Sequence, residues 1–376
     1  MATTVKVDRE SLRRKLPADV PPGMLSVIAR TLQDDPKSYN TDWFGTMVIH
    51  GLMRWAERGV IEALDFSKEW FAFHLSRDPG LSDDEFCQTY SGSGGRVIRT
   101  GPLPFTTYCG LFGLNFACYP LFKQTGDSRA RDVCVSVADA ILHHTSRNHL
   151  GMVAHADRDP FAIPDACYYV APPLMLASQL DEKNRHALRQ QAIYQLRMCN
   201  SVFLDRKKNL SRTMLFNETG ELGKTFWTRA TGWHMWALCG VLDGLAPGDP
   251  EYKEFCTDLK ALADGVSKCQ DSDGCLHVLI DEPDTPKETT GTAMALRSIH
   301  EGIRRGWLPH EYDRFMEMAW KFVQSNLSDE GEIHQAYTLW AVPAEERQLA
   351  TETTRAGFVV GLIILLADEM THQSNR

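Results

Sequence analysis

A chain of 376 residues that is 43% hydrophobic and 24% charged has an ordinary globular composition, which argues against a disordered or fibrous protein. A net charge of −9 and a pI near 5.8 argue against nucleic acid or an anionic membrane as partner. The ten cysteines stand singly, with no CxxC pair and no Cys/His run at ligand spacing; they read as free thiols of a reducing cytoplasm, and neither a metal nor a cofactor is expected.

Residues 1–20 carry no apolar stretch of the kind a secretory signal needs and are expected to form a flexible arm. "PGMLSVIARTL" follows as an amphipathic helix with Pro22 at its first position. Then come six segments that are apolar nearly all round. They are "WFGTMVIHGLMRWAERG" from Trp43, "YCGLFGLNFACYPLFKQTGD" from Tyr108, "YYVAPPLMLASQL" from Tyr168, "GWHMWALCGVLDGL" from Gly232, "TGTAMALRSIHEGI" from Thr290 and "TRAGFVVGLIILLADEM" from Thr354. Their starts lie 58 to 65 residues apart, the mark of a long internal repeat.

Amphipathic segments alternate with them, for example "RARDVCVSVADAILHH" and "EYDRFMEMAWKFVQSN". In the latter, Phe315, Met318, Ala319 and Phe322 recur at i, i+3, i+4, i+7. Strand signals are weak and local, as in "CLHVLI". "SGSGG" at 91–95 lacks the strand–loop–helix context of a phosphate loop and reads as a lid or turn. The last apolar run, "AGFVVGLIILLAD", is too short to span a bilayer.

A helix that is apolar on every side must be buried on every side. Six of them alternating with six half-exposed helices predict one all-α domain over 1–376, an (α/α)6 toroid with an inner and an outer ring. In such a toroid the inner helices begin at one common end. The residues preceding them are expected to line a shared cavity: Trp43, Tyr108, His155, Asp165, Trp227, Arg229, Trp233 and Glu288. Six converging helix N-termini also favour an anionic ligand.

"FWTRATGWHMWAL" from Phe226 resembles the Trp-x-Arg-x-x-Gly-Trp signature of the unsaturated uronyl hydrolases, glycoside hydrolase families 88 and 105. "IPDACYYVAPPLMLA" is similar to their block around the catalytic aspartate, and "YPLFKQTGD" and "ETTGTAMALRSIHEGIRRGWL" resemble two further helices. The resemblance implies a six-hairpin toroid without cofactor. It also implies an enzyme in which one aspartate, here Asp165, protonates the vinyl ether of a 4,5-unsaturated uronyl sugar so that water adds at C5. Trp227 and Trp233 would stack on sugar or wall the cavity. Arg229 would pair with the uronate carboxylate, and Gly232 would allow a tight turn into the helix.

Several positions depart from that pattern. A second family aspartate falls at Gly110, a His at Thr213, an Asp at Phe216 and a Trp at Ile163. A non-hydrolytic enzyme on the same toroid, using Asp165 for acid catalysis on a less polar metabolite such as an isomerisation or cyclisation, is therefore the alternative. A carbohydrate-binding protein without catalysis is a third. The expected partner is a small molecule, with a homodimer open.

Overall fold

The structure, a computed structural model, describes residues 9–76, 82, 85–86, 96–157, 159–342 and 347–372; the 91–95 stretch lies outside the described residues. In chain order the helices are α1 (Arg9–Arg13), α2 (Pro22–Thr31), α3 (Trp43–Glu57), α4 (Ile61–Ser76), α5 (Leu114–Thr125), α6 (Ser128–His143) and α7 (Pro164–Ser178). They continue with α8 (Arg185–Phe203), α9 (Thr228–Leu242), α10 (Pro250–Lys268), α11 (Thr289–Arg304), α12 (Asp313–Ser325) and α13 (Gly357–Met370). Local chemistry sets their ends. Pro22, Pro164 and Pro250 open α2, α7 and α10. Asp42 caps α3 by accepting from the Phe44 N–H at 2.8 Å, and Asp127 caps α6 through the Arg129 N–H at 3.0 Å.

Helices α3, α5, α7, α9, α11 and α13 pack side by side in that order, and α13 packs back on α3, which closes the inner ring. Helices α2, α4, α6, α8, α10 and α12 pack outside it. The (α/α)6 toroid expected from apolar periodicity is the fold. Helix α13 shows the consequence: every residue from Phe358 to Glu369 is buried, with α3 and α11 beside it in the ring and α2 outside.

Closure relies on two glycines. A Cβ on Gly51 would lie 2.8 Å from Ile364 Cγ2, and one on Gly361 would lie 2.5 Å from the Met47 carbonyl carbon. The two backbones therefore approach as closely as bare glycine allows. Near the other end of this seam, buried Asp368 of α13 accepts from Arg54 Nε at 3.2 Å and from Arg58 Nη1 at 3.1 Å, both on or just after α3.

Three expectations are corrected. Residues 9–20 are not a free arm: Leu12, Leu16 and Val20 are buried in the core, and Arg13 Nη1 donates to the Val20 carbonyl at 2.5 Å. The third and fourth inner helices begin four residues earlier than the apolar run, at Pro164 and Thr228, because polar Asp165 and Arg229 sit inside their first turns. Gly232 therefore turns no corner. It lies within α9, where a Cβ would meet Met294 Cβ of α11 at 2.9 Å, so its role is close helix packing.

Short antiparallel strand pairs decorate the loops: β1 (Val97–Ile98) with β2 (Phe105–Thr106), β3 (Phe161–Ala162) with β6 (Leu215–Phe216), and β4 (Leu204–Asp205) with β5 (Leu210–Ser211). β7 (Leu276–His277) pairs with β8 (Lys287–Glu288). A longer hairpin, β9 (Tyr337–Val342) with β10 (Arg347–Glu352), precedes α13 and was not foreseen. Among the described residues, no helix is long and apolar enough to cross a membrane.

The seam makes a direct prediction. Gly361→Ala places a methyl against the α3 backbone and should cost about 2 kcal/mol of stability, seen as a lower melting temperature. Gly248→Ala, where a Cβ meets nothing within 4 Å, should leave it unchanged or slightly higher. Equal behaviour of the two variants would contradict a tight α3–α13 closure.

Candidate active site

Asp165 is the second residue of α7. Ile163 occupies the cap position, so the aspartate is not spent on capping, the ordinary use of Asp at a helix start. It is partly accessible, while its neighbours Pro164, Ala166 and Cys167 are buried. Burial of its surroundings pushes the carboxyl above the usual carboxylate range, and the charges of Arg229 and His155 pull the other way without cancelling that rise. A carboxyl whose neutral form is favoured in this way, at the start of an inner helix, is suited to acid chemistry.

Arg229, in the first turn of α9, is 7% exposed. Its Nη1 donates to the Tyr337 carbonyl at 3.1 Å, and its guanidinium carbon sits 4.8 Å over the Phe358 ring. Burial works against its charge; Glu288 and then Asp165 sustain it. Its Nε has no hydrogen-bond partner. A buried guanidinium with an idle donor is costly unless an anion arrives. The Tyr169 hydroxyl is likewise buried without a partner, and it interacts electrostatically with both Asp165 and Arg229. Trp227 Nε1 is a third buried donor left unpaired. Two of these idle donors, on Arg229 and Tyr169, interact with the raised Asp165 carboxyl, an arrangement a polar ligand would satisfy.

Aromatic rings fill the rest. Trp43, half-buried at the start of α3, packs against Phe358 at 4.8 Å, Trp233 at 6.3 Å and Tyr169 at 6.5 Å between ring centroids. Tyr108 meets the His155 ring edge-to-face at 5.1 Å, and His155 Nδ1 lies 2.5 Å from Asp159 Oδ2. His155 is thus oriented by Asp159 at the edge of the site.

The departing positions now have physical accounts. A Cβ at Gly110 would lie 2.6 Å from Tyr108 Cε1 and 2.9 Å from Trp43 Cδ1, so two aromatic rings occupy the space a second aspartate would need. Thr213 is wholly buried and its hydroxyl is committed: it donates to the Thr225 carbonyl at 3.0 Å and accepts from the Trp227 N–H at 3.1 Å. It positions Trp227. Phe216 pairs with Phe161 across β3 and β6 and joins an apolar cluster with Ile163, Met214, Trp227, Ala230 and Leu279.

The structure brings Asp165, Arg229, His155, Trp43 and Tyr108 together and places Trp227 beside them in that apolar cluster. It gives two expected ligand contacts other work. Trp233 is 1% exposed, with Tyr168 stacked on it at 5.0 Å and Trp236 at 5.6 Å, so it packs beneath the site and has no free face for a sugar. Glu288 is fully buried and caps α11, accepting from the Thr290 N–H at 3.2 Å and from the Gly291 N–H; it supports Arg229 by charge alone. Sequence reasoning missed Tyr169, though it lies four residues after Asp165 and so on the same helix face. It also missed the Tyr337 carbonyl, which the unforeseen hairpin delivers.

The family model for Glycosyl Hydrolase Family 88 matches residues 28–373. The chain belongs to this family. Among curated proteins, it is 24% identical over 151 residues to the unsaturated 3S-rhamnoglycuronyl hydrolase of Formosa agariphila, covering 39% of each chain. It is 23% identical over 180 residues to the unsaturated rhamnogalacturonyl hydrolase YesR of Bacillus subtilis, covering 46% of this chain and 52% of that one. The matches thus span about half the length of these relatives or less. Solved structures carry the likeness through the whole fold. A possible family 105 member from Salmonella enterica gives a TM-score of 0.78 at 15% identity, covering 97% of this chain and 94% of that one. The unsaturated glucuronyl hydrolase of Bacillus sp. GL1 gives 0.66 at 15% identity, covering 94% and 96%. This family 88 chain thus shares the toroid with them.

Two expectations follow. Gly110→Asp should not restore a second acid; it should displace Tyr108 and lower the melting temperature, and an unchanged melting temperature would show that the rings yield freely. Because folding raises the Asp165 pKa, ionisation costs the native state, with the cost absent below the unfolded carboxylate pKa and complete above the folded one. Asp165→Asn should therefore melt higher than the wild type near pH 8, and the gap should close as pH falls toward about 4. A gap independent of pH would contradict the raised pKa.

Proposed function

We propose that this protein hydrolyses the terminal 4,5-unsaturated uronyl residue of short oligosaccharides, with Asp165 as the acid. The observation that carries the proposal is a buried Arg229 with an idle Nε beside a carboxyl whose burial favours its protonated form. The substrate suits both groups. Its carboxylate is the anion that Arg229 lacks, and the planar guanidinium can grip it at two points. Its C4=C5 bond is a vinyl ether, which reacts by accepting a proton. The proton on Asp165 passes to C4, positive charge develops at C5 and the ring oxygen, and water adds at C5. The resulting hemiketal opens and releases the next sugar.

One carboxyl suffices for this chemistry, whereas ordinary glycoside hydrolysis needs two. The ionised Asp165 left after protonation can then accept the proton of the attacking water. Trp43, Tyr108 and Trp227 offer ring faces and edges for the flat unsaturated sugar, and the Tyr169 hydroxyl offers a hydrogen bond. The names of the two curated relatives, both unsaturated uronyl-type hydrolases, support this reading. Nothing in the comparisons supports the non-hydrolytic alternative. We assign the protein to the cytoplasm, in keeping with nine described cysteines that are all unpaired, seven of them buried.

The test is loss of the ultraviolet absorbance of the conjugated double bond across a panel of lyase-generated unsaturated oligosaccharides. Wild type should consume at least one of them, and Asp165→Asn should lower kcat by about 10³-fold. No loss on any panel member would sink the proposal.

The pH profile gives a second check. Neutral Asp165 is the active form, so kcat/KM should fall as pH rises through a pKa above the ordinary carboxylate value of 3.8. Arg229→Gln removes a charge that holds this pKa down. The falling limb should therefore move to higher pH while kcat/KM drops by roughly 10- to 100-fold. A limb that moves to lower pH would contradict the assigned coupling.

A further inference from the structure

The sequence spacing shows no zinc pattern, yet the fold brings three metal-ligating side chains together in "DSDGCLH", Asp271 to His277. The loop between α10 and β7 closes on itself: the Asp271 N–H donates to the Cys275 carbonyl at 2.9 Å and the Gly274 N–H to the Asp271 carbonyl at 3.0 Å. Gly274, at φ +94°, makes the turn, and a Cβ there would collide with the Met318 carbonyl oxygen. This turn sets Asp271 beside Cys275, and the start of β7 adds His277.

We propose that Asp271, Cys275 and His277 bind a divalent transition-metal ion of the zinc class. The three donor atoms form a triangle: His277 Nε2 to Asp271 Oδ2 is 3.0 Å, Cys275 Sγ to His277 Nε2 is 3.7 Å, and Cys275 Sγ to Asp271 Oδ2 is 4.0 Å. Zinc–ligand bonds of about 2.0 to 2.3 Å at tetrahedral angles put ligand atoms roughly 3.3 to 3.6 Å apart, close to this triangle. A thiolate, an imidazole and one carboxylate select zinc over magnesium or calcium.

The histidine supplies a second, independent reason. Its Nδ1 lies 2.5 Å from the Thr285 carbonyl, an oxygen that can only accept, so Nδ1 carries a proton. In the neutral ring Nε2 is then a lone pair, aimed at a carboxylate oxygen 3.0 Å away. An Nδ1–H held by a backbone carbonyl is the usual support of a metal-bound imidazole. Asp273 lies against Cys275 and is paired with Lys287, so the fourth position falls to solvent or to Asp273.

The ion would fasten a strand that matters to the mouth. The Thr228 hydroxyl donates to the His277 carbonyl and the Thr228 N–H to the Val278 carbonyl at 3.1 Å, tying β7 to the residue before Arg229. Partner strand β8 ends in the capping Glu288.

The experiment is calorimetric titration of the full chain, stripped with a chelator, with Zn²⁺, and absorption spectroscopy after loading with Co²⁺. About one equivalent should bind, with a sulfur-to-cobalt charge-transfer band and a higher melting temperature. Cys275→Ser should abolish the band and weaken Zn²⁺ binding at least about 100-fold. Asp271→Asn, at a more exposed position, should weaken binding while leaving the fold intact by circular dichroism. Cys256→Ser, outside the cluster, should bind as the wild type does. Absence of binding to the folded wild type, or binding and a band unaltered in Cys275→Ser, would overturn the site. None of these readouts depends on the hydrolase reading.

Discussion

The structure depends on one packing constraint: six helices without a polar face can be covered only by one another. Once α13 closes on α3, each inner helix is covered along most of its length by its neighbours, and each runs in the same direction as the last. That common direction gathers the six helix starts at one end. Backbone N–H groups there lack intrahelical partners and carry the positive ends of the helix dipoles. Polar side chains placed in those first turns are therefore surrounded by apolar packing yet lie where the electrostatics tolerate negative charge. The site is a consequence of ring closure more than an addition to it.

Within that end, opposed forces tune two groups. Burial raises the Asp165 carboxyl, and Arg229 and His155 restrain the rise. Burial also opposes the Arg229 charge, and Glu288 sustains it from behind while its own oxygens stay on the α11 N-terminus. Glu288 can stabilise the guanidinium without occupying its outer edge, because it reaches Arg229 only through space. The arginine thus remains charged, buried and open to an incoming anion. Had Glu288 formed a two-point ion pair, the same residue would have closed the site.

The toroid was legible because burial on all sides leaves an unmistakable pattern: continuous apolar runs at a repeated spacing. The starts of α7 and α9 were not, since functional side chains in the first turn break that pattern where the helix begins. Residues 9–20 misled for a related reason. Leu12, Leu16 and Val20 are too sparse among charges to look like core, yet the docking surface they use is supplied by the barrel. Asp165 and Arg229 could be found from motif and helix position together. Trp233 and Glu288 were correctly placed along the chain but misassigned in role, because position alone does not reveal which face of a ring is taken or which oxygen is already capped. The metal cluster escaped for the opposite reason: a single turn at Gly274 creates it, and no ligand spacing in the chain announces that turn.

The departures at Gly110, Thr213 and Phe216 form one physical change rather than three losses. The space of a second aspartate holds Tyr108 and Trp43, a buried threonine fixes the backbone of Trp227, and Phe216 extends the apolar cluster around it. Each substitution lowers the local polarity near Asp165. For a reaction that needed a second carboxylate, this would be disabling. Under the proposed function, protonation of an already activated double bond, it is an advantage, because drier surroundings favour the neutral form of the acid. The same dryness strengthens the pull of Arg229 on an anionic substrate, since less water competes for the charge. On the proposed reading, loss of polar residues and retention of a single acid with a single arginine are two sides of one design, in which the substrate would bring the reactivity and the protein a proton and a grip.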